Sequence, residues 1–303
     1  MIRASTDQRW LPLYEALASE VRLRLLDILA DGPLNVKDLA GQLQLSSAIL
    51  TMHVRKLEQA GLIRTEMRRV NGGTHKMCRL AENEVMIRLP QEGGRERQYH
   101  EQTIPVGHYT SFEVQPTCGL ATREKVIGQF DDPRYFLEPE RVSAGILWFG
   151  QGYVEYKTPN YLLSGQKPTE LEISVEIASE APGINDTWPS DIRFYVNDVL
   201  LGEWTSPGDY GGESRGRYTP AWWNVNQYGL WKVIRVGEQG TYIDGQQISD
   251  TTIQDLKLEK HFWTLRFAVE EDARHVGGLT LFGAGFGNYN QDIRFRVYYG
   301  EGE

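Results

Sequence analysis

The stretch LSSAILTMHVRKLEQAGLI, residues 45–63, carries two stripes at helical spacing. Leu50, Val54 and Leu57 form an apolar stripe suited to a core. Ser47, Thr51 and Arg55, four residues apart, form a polar stripe that ends in two cations, Arg55 and Lys56. A row of this kind suits the major groove of duplex DNA. An α-helix fits the groove, its short N-terminal polar side chains approach base edges, and an arginine one turn on reaches a guanine or a phosphate. Ser46 stands at the capping position and adds a hydroxyl to the same edge. The plain alternative is a merely solvated helix face.

A second constellation lies between Trp188 and Asn226. Trp188, Trp204, Tyr210, Tyr218, Trp222 and Trp223 supply flat faces among Gly, Ser, Pro and Asn loops. Asp209, Glu213, Arg215, Arg217, Asn224 and Asn226 supply directional hydrogen bonds. Saccharides need this mixture, because each ring has an apolar C–H face and a rim of hydroxyls. The competing reading places these aromatics over a sandwich core or in an interdomain or dimer surface.

Catalysis has weaker claims. Glu170, Glu172 and Glu176 lie on one strand face, loosely like the paired carboxylates of β-sandwich glycosidases, but such alternation is expected on a wet face. His53, His75, His100, His108, His261 and His275 show no metal-binding or triad spacing, and His53 falls inside the 45–63 helix. His108 is either a pocket residue or a satisfied sheet histidine. The GAGFGN run at 283–288 lacks the strand-to-helix context of a phosphate cradle. Cys78 and Cys118 have no ligand spacing and read as reduced structural thiols. The expectation is a protein without enzymatic activity, cofactor or metal.

The elements that must position the first row precede and follow it. LASEVRLRLLDILADGP reads as a helix capped by Ser19 and stopped at Gly32-Pro33, with Val21, Leu25, Ile28 and Leu29 on one face. NVKDLAGQL restarts at Asn35, with Val36, Leu39, Ala40 and Leu43 at helical spacing. After Gly61 the chain turns to strand character around Asn71-Gly72-Gly73, a hairpin signal, with Arg68, Arg69 and Lys76 near its tip for phosphates or the minor groove. Helix, turn, helix and basic hairpin make a winged helix-turn-helix.

Charge supports the division. Residues 1–80 hold twelve Lys and Arg against eight Asp and Glu, whereas the remainder holds 20 against 33. The acidic total of −9 therefore argues against nucleic acid only for the body. No apolar run is long enough for a membrane span, and the N-terminus lacks the apolar core of a secretory signal, so a cytoplasmic protein is expected.

The segments AL-SE-R--LL--L, DLA--L-LS and H-RKLEQAGLI resemble the DNA-binding domain of ArsR/SmtB-type winged-helix repressors, over residues ~10–80. The resemblance implies a homodimer on a double-stranded operator, with Ser46–Ala60 as recognition helix. The helix before it, NVKDLAGQL, has no Cys or His where metal-sensing members carry theirs, which speaks against metal sensing.

The polar segment ENEVMIRLPQEGGRER is the candidate linker, dividing a head, 1–92, from a body, 93–303. TELEISVEI, FWTLRFAVE and DIRFRVYY alternate as strands. Asn197-Asp198 and Asp244-Gly245 read as hairpin turns, and so does Gly150-Gln151-Gly152 within GILWFGQGYVEYK. The expected class is α+β multidomain, the body an antiparallel β-sandwich or jelly-roll-like domain. The leading reading is a regulator, a repressor in the sense the resemblance implies, whose body senses a small carbohydrate-like effector; the alternatives are a regulator whose body is a protein-interaction module or a carbohydrate-active enzyme with a DNA-binding head.

Overall fold

Apolar residues at intervals of three and four drive the first 60 residues into helices. The structure is a computed structural model that describes residues 2–70, 73–82, 84–89, 97–212 and 214–301. The Asn71-Gly72 turn, the Gly93-Gly94 linker with the expected 92/93 boundary, and Glu213 lie outside the described residues. The chain divides into two compact units, Met1–Arg95 and Glu96–Glu303.

In the first unit, strand β1 (Ile2–Ser5) precedes helices α1 (Leu11–Leu17) and α2 (Glu20–Ala30). A short β2 (Leu34–Asn35) leads into α3 (Val36–Gln42) and α4 (Ser47–Gln59). The hairpin β3 (Ile63–Val70) and β4 (Gly73–Leu80) follows, then β5 (Val85–Arg88). Asn35 caps α3 by accepting from the Asp38 amide, and Ser46 caps α4 by accepting from the Ile49 amide. Ser19 sits at the start of α2, but its side chain makes no capping bond. Leu25, Leu29, Leu39, Leu50, Val54, Leu57 and Ile63 close one core with Cys78, each full burial contributing about 1.5–3 kcal/mol. The sheet order is β2-β4-β3, all antiparallel. The parallel pairing of β1 with β5 was not foreseen, because nothing local in two four-residue strands specifies it.

The second unit is built on strands, with short 3-10 helices at Pro133–Leu137, Pro139–Ser143 and Ile253–Leu256 in its connections. They are β6 (Tyr99–Ile104), β7 (Ser111–Ala121), β8 (Ile146–Pro159), β9 (Gln166–Ala178), β10 (Ser190–Val196) and β11 (Val199–Ser206). After them come β12 (Leu230–Gly237), β13 (Gly240–Ile243), β14 (Gln246–Ser249), β15 (Phe262–Val269), β16 (Leu279–Phe282) and β17 (Ile293–Glu301). The order β11-β10-β15-β8-β16-β9-β12-β13-β14 is continuous; β7 adds to β8, and β17 joins β9 to β6. The Ser249 hydroxyl donates to the Leu201 carbonyl and Thr251 Oγ1 to that of Leu200, which ties the end of β14 to β11 and nearly closes the sheet. The Asn197-Asp198 and Asp244-Gly245 turns fall where expected, every one of these residues at positive φ, the backbone such two-residue hairpins require.

Two expectations are corrected. GILWFGQGYVEYK is not a hairpin: β8 runs unbroken through Gly150 and Gly152. These glycines answer to close approach, since a Cβ at Gly150 would lie 2.5 Å from the Pro116 carbonyl oxygen and one at Gly152 1.9 Å from that of Glu113. Nor is the acidic face of β9 wet. Glu172, Ser174 and Glu176 are buried along with Leu171, Ile173, Val175 and Ile177, because the sheet curls and its loops cover both faces.

Candidate nucleic-acid interface and effector surface

Helix α4 buries Leu50, Val54 and Leu57 and turns Ser47, Ala48, Thr51, Met52, Arg55 and Lys56 outward, with its capping residue Ser46 also exposed. The expected row of Ser47, Thr51 and Arg55 is thus brought together on one exposed face. Thr51 is not a free hydroxyl, however; its Oγ1 donates to the Ser47 carbonyl at 2.7 Å. Ala48, Ile49 and Met52 are exposed beside it, Ile49 by 46% and Met52 by 53%. Sequence reading passed over this apolar element; the available signal was an apolar pair, Ala48 and Met52, four residues apart and off the core stripe.

On the hairpin, Arg68 and Arg69 are exposed. Arg68 pairs with Glu66 at 2.8 Å, both ends in solvent, an arrangement worth little and readily exchanged for a phosphate. Lys76 is half-buried and lies 3.6 Å from the Glu58 carboxylate of α4, so it joins hairpin to helix. Beneath α4, buried Arg22 donates through Nε to the Ala16 carbonyl at 2.7 Å and through Nη2 to that of Glu15 at 2.5 Å. Its Nη1 stands 3.4 Å from His53 Nδ1. Burial, then the Arg22 and Lys56 charges, hold the His53 pKa below its ordinary value.

In the body, the aromatics expected to form one patch separate. Trp204 packs on the main core beneath Lys232, whose Nζ lies 4.7 Å from the ring centroid. Trp188 is half-buried, with its indole nitrogen lacking a partner among the described residues. Tyr210 stacks on Tyr228 at 5.4 Å. Trp223, only 2% exposed, is enclosed by Trp148, Phe130, Phe286 and Trp222. It is a core ring that supports the surface from below. Trp222 is 38% exposed and anchored by its indole N–H to the Arg123 carbonyl at 2.6 Å. Phe130 is also exposed beside this cluster, and Asn224, Arg215 and Arg217 are exposed. Arg217 lies over Tyr218 at 5.4 Å, and Arg215 donates to the Pro220 and Trp223 carbonyls. Phe130, Trp148 and Arg123 were missed because they come from distant parts of the chain.

Asp209 is fully buried and Asn226 nearly so. Asn226 Nδ2 donates to Glu180 Oε2 at 2.8 Å and to Thr280 Oγ1 at 3.0 Å. Burial pushes the Asp209 pKa up to about 7; the Ala181 amide opposes this and nearby Asp186 adds to it. Burial, then the Asp209 charge, raises Glu180 well above the carboxylate range. Glu176 is pushed up to about 7 by burial although the Gly229, Asn288 and Tyr289 amides all donate to it. That geometry pins the 283–290 loop to β9. His108 is exposed, its Nε2 3.1 Å from the Val142 carbonyl. Both cysteines are buried and unpaired, and burial raises Cys118 to about 12. Among the described residues no group of three or more His, Cys, Asp or Glu is placed to hold a metal ion, and no helix is long and apolar enough to cross a membrane.

Four helices, with α3 and α4 joined by a short turn, followed by the β3–β4 hairpin, define the first unit as a winged helix-turn-helix. Residues 19–65 match the family model of the bacterial regulatory protein, arsR family. The chain is 40% identical over 53 residues to an uncharacterized HTH-type transcriptional regulator of Methanocaldococcus jannaschii, a match covering 18% of this chain and 56% of that relative. The chain thus spans about half the length of this curated relative. HlyU from Vibrio cholerae is 31% identical over 24% of this chain and 76% of that one, with a TM-score of 0.21. The homodimeric winged helix-turn-helix DNA-binding domain of a possible ArsR-family regulator from Mycobacterium bovis is 30% identical over 24% of this chain and 65% of that one, with a TM-score of 0.22. The N-terminal unit carries an ArsR-family helix-turn-helix domain; the β-rich unit that follows is unassigned.

Proposed function

We propose that the protein is a cytoplasmic, homodimeric DNA-binding transcriptional regulator, a repressor without catalytic activity, whose β-rich unit binds a small carbohydrate-like effector. The observation that carries the DNA reading is the exposed face of α4, held over a fully buried stripe and flanked by exposed Arg68 and Arg69. A helix presented this way enters a major groove while the arginines neutralise phosphates. The support for the effector is the exposed Trp222 ring, fixed through its indole, in a segment that also exposes Asn224, Arg217 and Arg215, the last held to the Pro220 and Trp223 carbonyls. A sugar C–H face covering it would be worth ~25 cal/mol per Å², and the polar groups would select the epimer. In this reading the nearly closed sheet is a jelly-roll-like scaffold for the loops. The ligand acts on DNA affinity only through different affinity for two states of the dimer.

The test is a saccharide panel added to the full chain bound to labelled duplex. An active sugar should shift Trp emission and DNA affinity over one concentration range, and Trp222→Ala should abolish both shifts while basal DNA binding stays. A panel that moves neither signal overturns the carbohydrate reading.

A further inference from the structure

We propose that α4 reads thymine methyl groups, so that the sequence preference of the head is set by apolar contact with Ala48, Thr51 and Met52 as much as by polar bonds. The inference rests on the DNA-binding reading and specifies its chemistry. Ala48, Thr51, Met52 and Arg55 lie at i, i+3, i+4 and i+7, on one side of the helix, and all four are exposed.

Thr51 has spent its only side-chain donor. The Oγ1 hydrogen goes to the Ser47 carbonyl one turn back, at 2.7 Å, and the methyl remains as its apolar contribution to the face. Met52, 53% exposed, adds a thioether side chain, and Ala48 a single methyl one turn earlier. Exposed apolar side chains are ordinary when scattered. Here three apolar groups adjoin one another on the face opposite Leu50, Val54 and Leu57, with Arg55 and Lys56 next along the helix.

Among the four bases in the major groove, only thymine presents a methyl, at C5; cytosine has a bare hydrogen there, and the nitrogen and oxygen positions are donors or acceptors. An apolar side chain pressed on a donor or acceptor strips its water without replacing the bond. The face therefore favours thymine twice over, by burying a methyl and by penalising bare polar edges. Arg55, a turn further on, supplies the guanine or phosphate contact that fixes register.

The experiment uses the full chain and a tight-binding duplex enriched from a randomised pool. Each thymine in the half-site is replaced in turn by deoxyuridine, which keeps the pairing edge and removes only the methyl. At one or more positions affinity should fall about fourfold, the equivalent of ~0.8 kcal/mol for one buried carbon at 1.4 kcal/mol per decade. Thr51→Ser, which keeps the hydroxyl, should erase the thymine–uracil difference at one position, and Thr51→Val, which keeps the methyl, should retain it. Met52→Gln should erase it at another. Both positions are exposed, so loss of folding does not confuse the result. Equal binding of thymine and uracil duplexes with a steep salt dependence intact overturns this inference and leaves the DNA reading standing. Discrimination that survives Thr51→Ser but is lost in Thr51→Val also overturns it, by assigning the contact to the hydroxyl. Salt-insensitive binding to every duplex overturns both.

Discussion

The Lys76 ammonium lies 3.6 Å from the Glu58 carboxylate, and so joins the β4 strand of the wing to the last turns of α4. Thr65 on β3 donates its hydroxyl to the same Glu58. A lysine with the composition of a phosphate contact is thereby engaged in holding the wing to the recognition helix. Replacing Lys76 by Ala should change the salt dependence of DNA binding less than replacing Arg69, whose loss should flatten the slope by about 0.9 per phosphate contact. Salt titrations of both variants decide the order.

Arg22 is the tie between α2, the end of α1 and α4. Arg22→Met leaves the Ala16 and Glu15 carbonyls without their donor and should destabilise the head by about 2–4 kcal/mol. It also removes a cation that holds the His53 pKa down, so the His53 pKa should rise. Urea unfolding of the full chain followed by helical circular dichroism reads the first effect, and a proton NMR titration of the imidazole reads the second.

Two glycines should behave differently. Gly152 has φ +110 and no room for a Cβ beside Glu113, while Gly245 has φ +89 with nothing within 4 Å. Gly245→Ala should cost about 1 kcal/mol, through backbone strain alone. Gly152→Ala must also displace a neighbouring strand and should cost more than ~3 kcal/mol. Trp emission in urea reports the body, since seven of the eight tryptophans lie beyond residue 147.

Stability of the body should decline as pH rises toward 7 and above. Asp209 and Glu176 have folded pKa values of about 7, above the unfolded carboxylate range. Between those values the native state holds protons that the unfolded chain has released, so unfolding becomes easier with rising pH. The contribution is complete below the unfolded pKa and lost as pH rises through about 7. Asp209→Asn should raise the melting temperature at pH ~8 and flatten its fall between pH ~5 and ~8. Melting curves by Trp emission check both.

Much of the head was legible because its information is local. The 3.6-residue periods, the Asn35 and Ser46 caps and the core stripe of α4 need only neighbouring residues, and each appears where the sequence puts it. The turns at Asn197-Asp198 and Asp244-Gly245 are local in the same way. What failed depends on partners far along the chain. Gly150 and Gly152 look like turn residues until β7 lies against them. Glu176 looks wet until the 283–290 loop closes over it. Trp222 and Trp223 are adjacent and alike in sequence; the exposure of one and burial of the other follow from Phe130, Trp148 and Phe286, which no local pattern links to them. On α4, the polar spacing of Thr51 was visible, but not the bond that turns its hydroxyl back to Ser47.

The central claim is that the head binds duplex DNA through α4 and the basic hairpin. Its most direct test is the affinity of the full chain for a labelled duplex, by fluorescence anisotropy from ~50 to ~200 mM salt. Six to eight phosphates neutralised by the two heads of a dimer would give a slope of log affinity against log salt of roughly −5 to −7, and joint charge reversal of Arg68 and Arg69 should weaken binding to all sequences and flatten that slope. An affinity that does not change across the salt range, or a slope untouched by that reversal, would contradict the account.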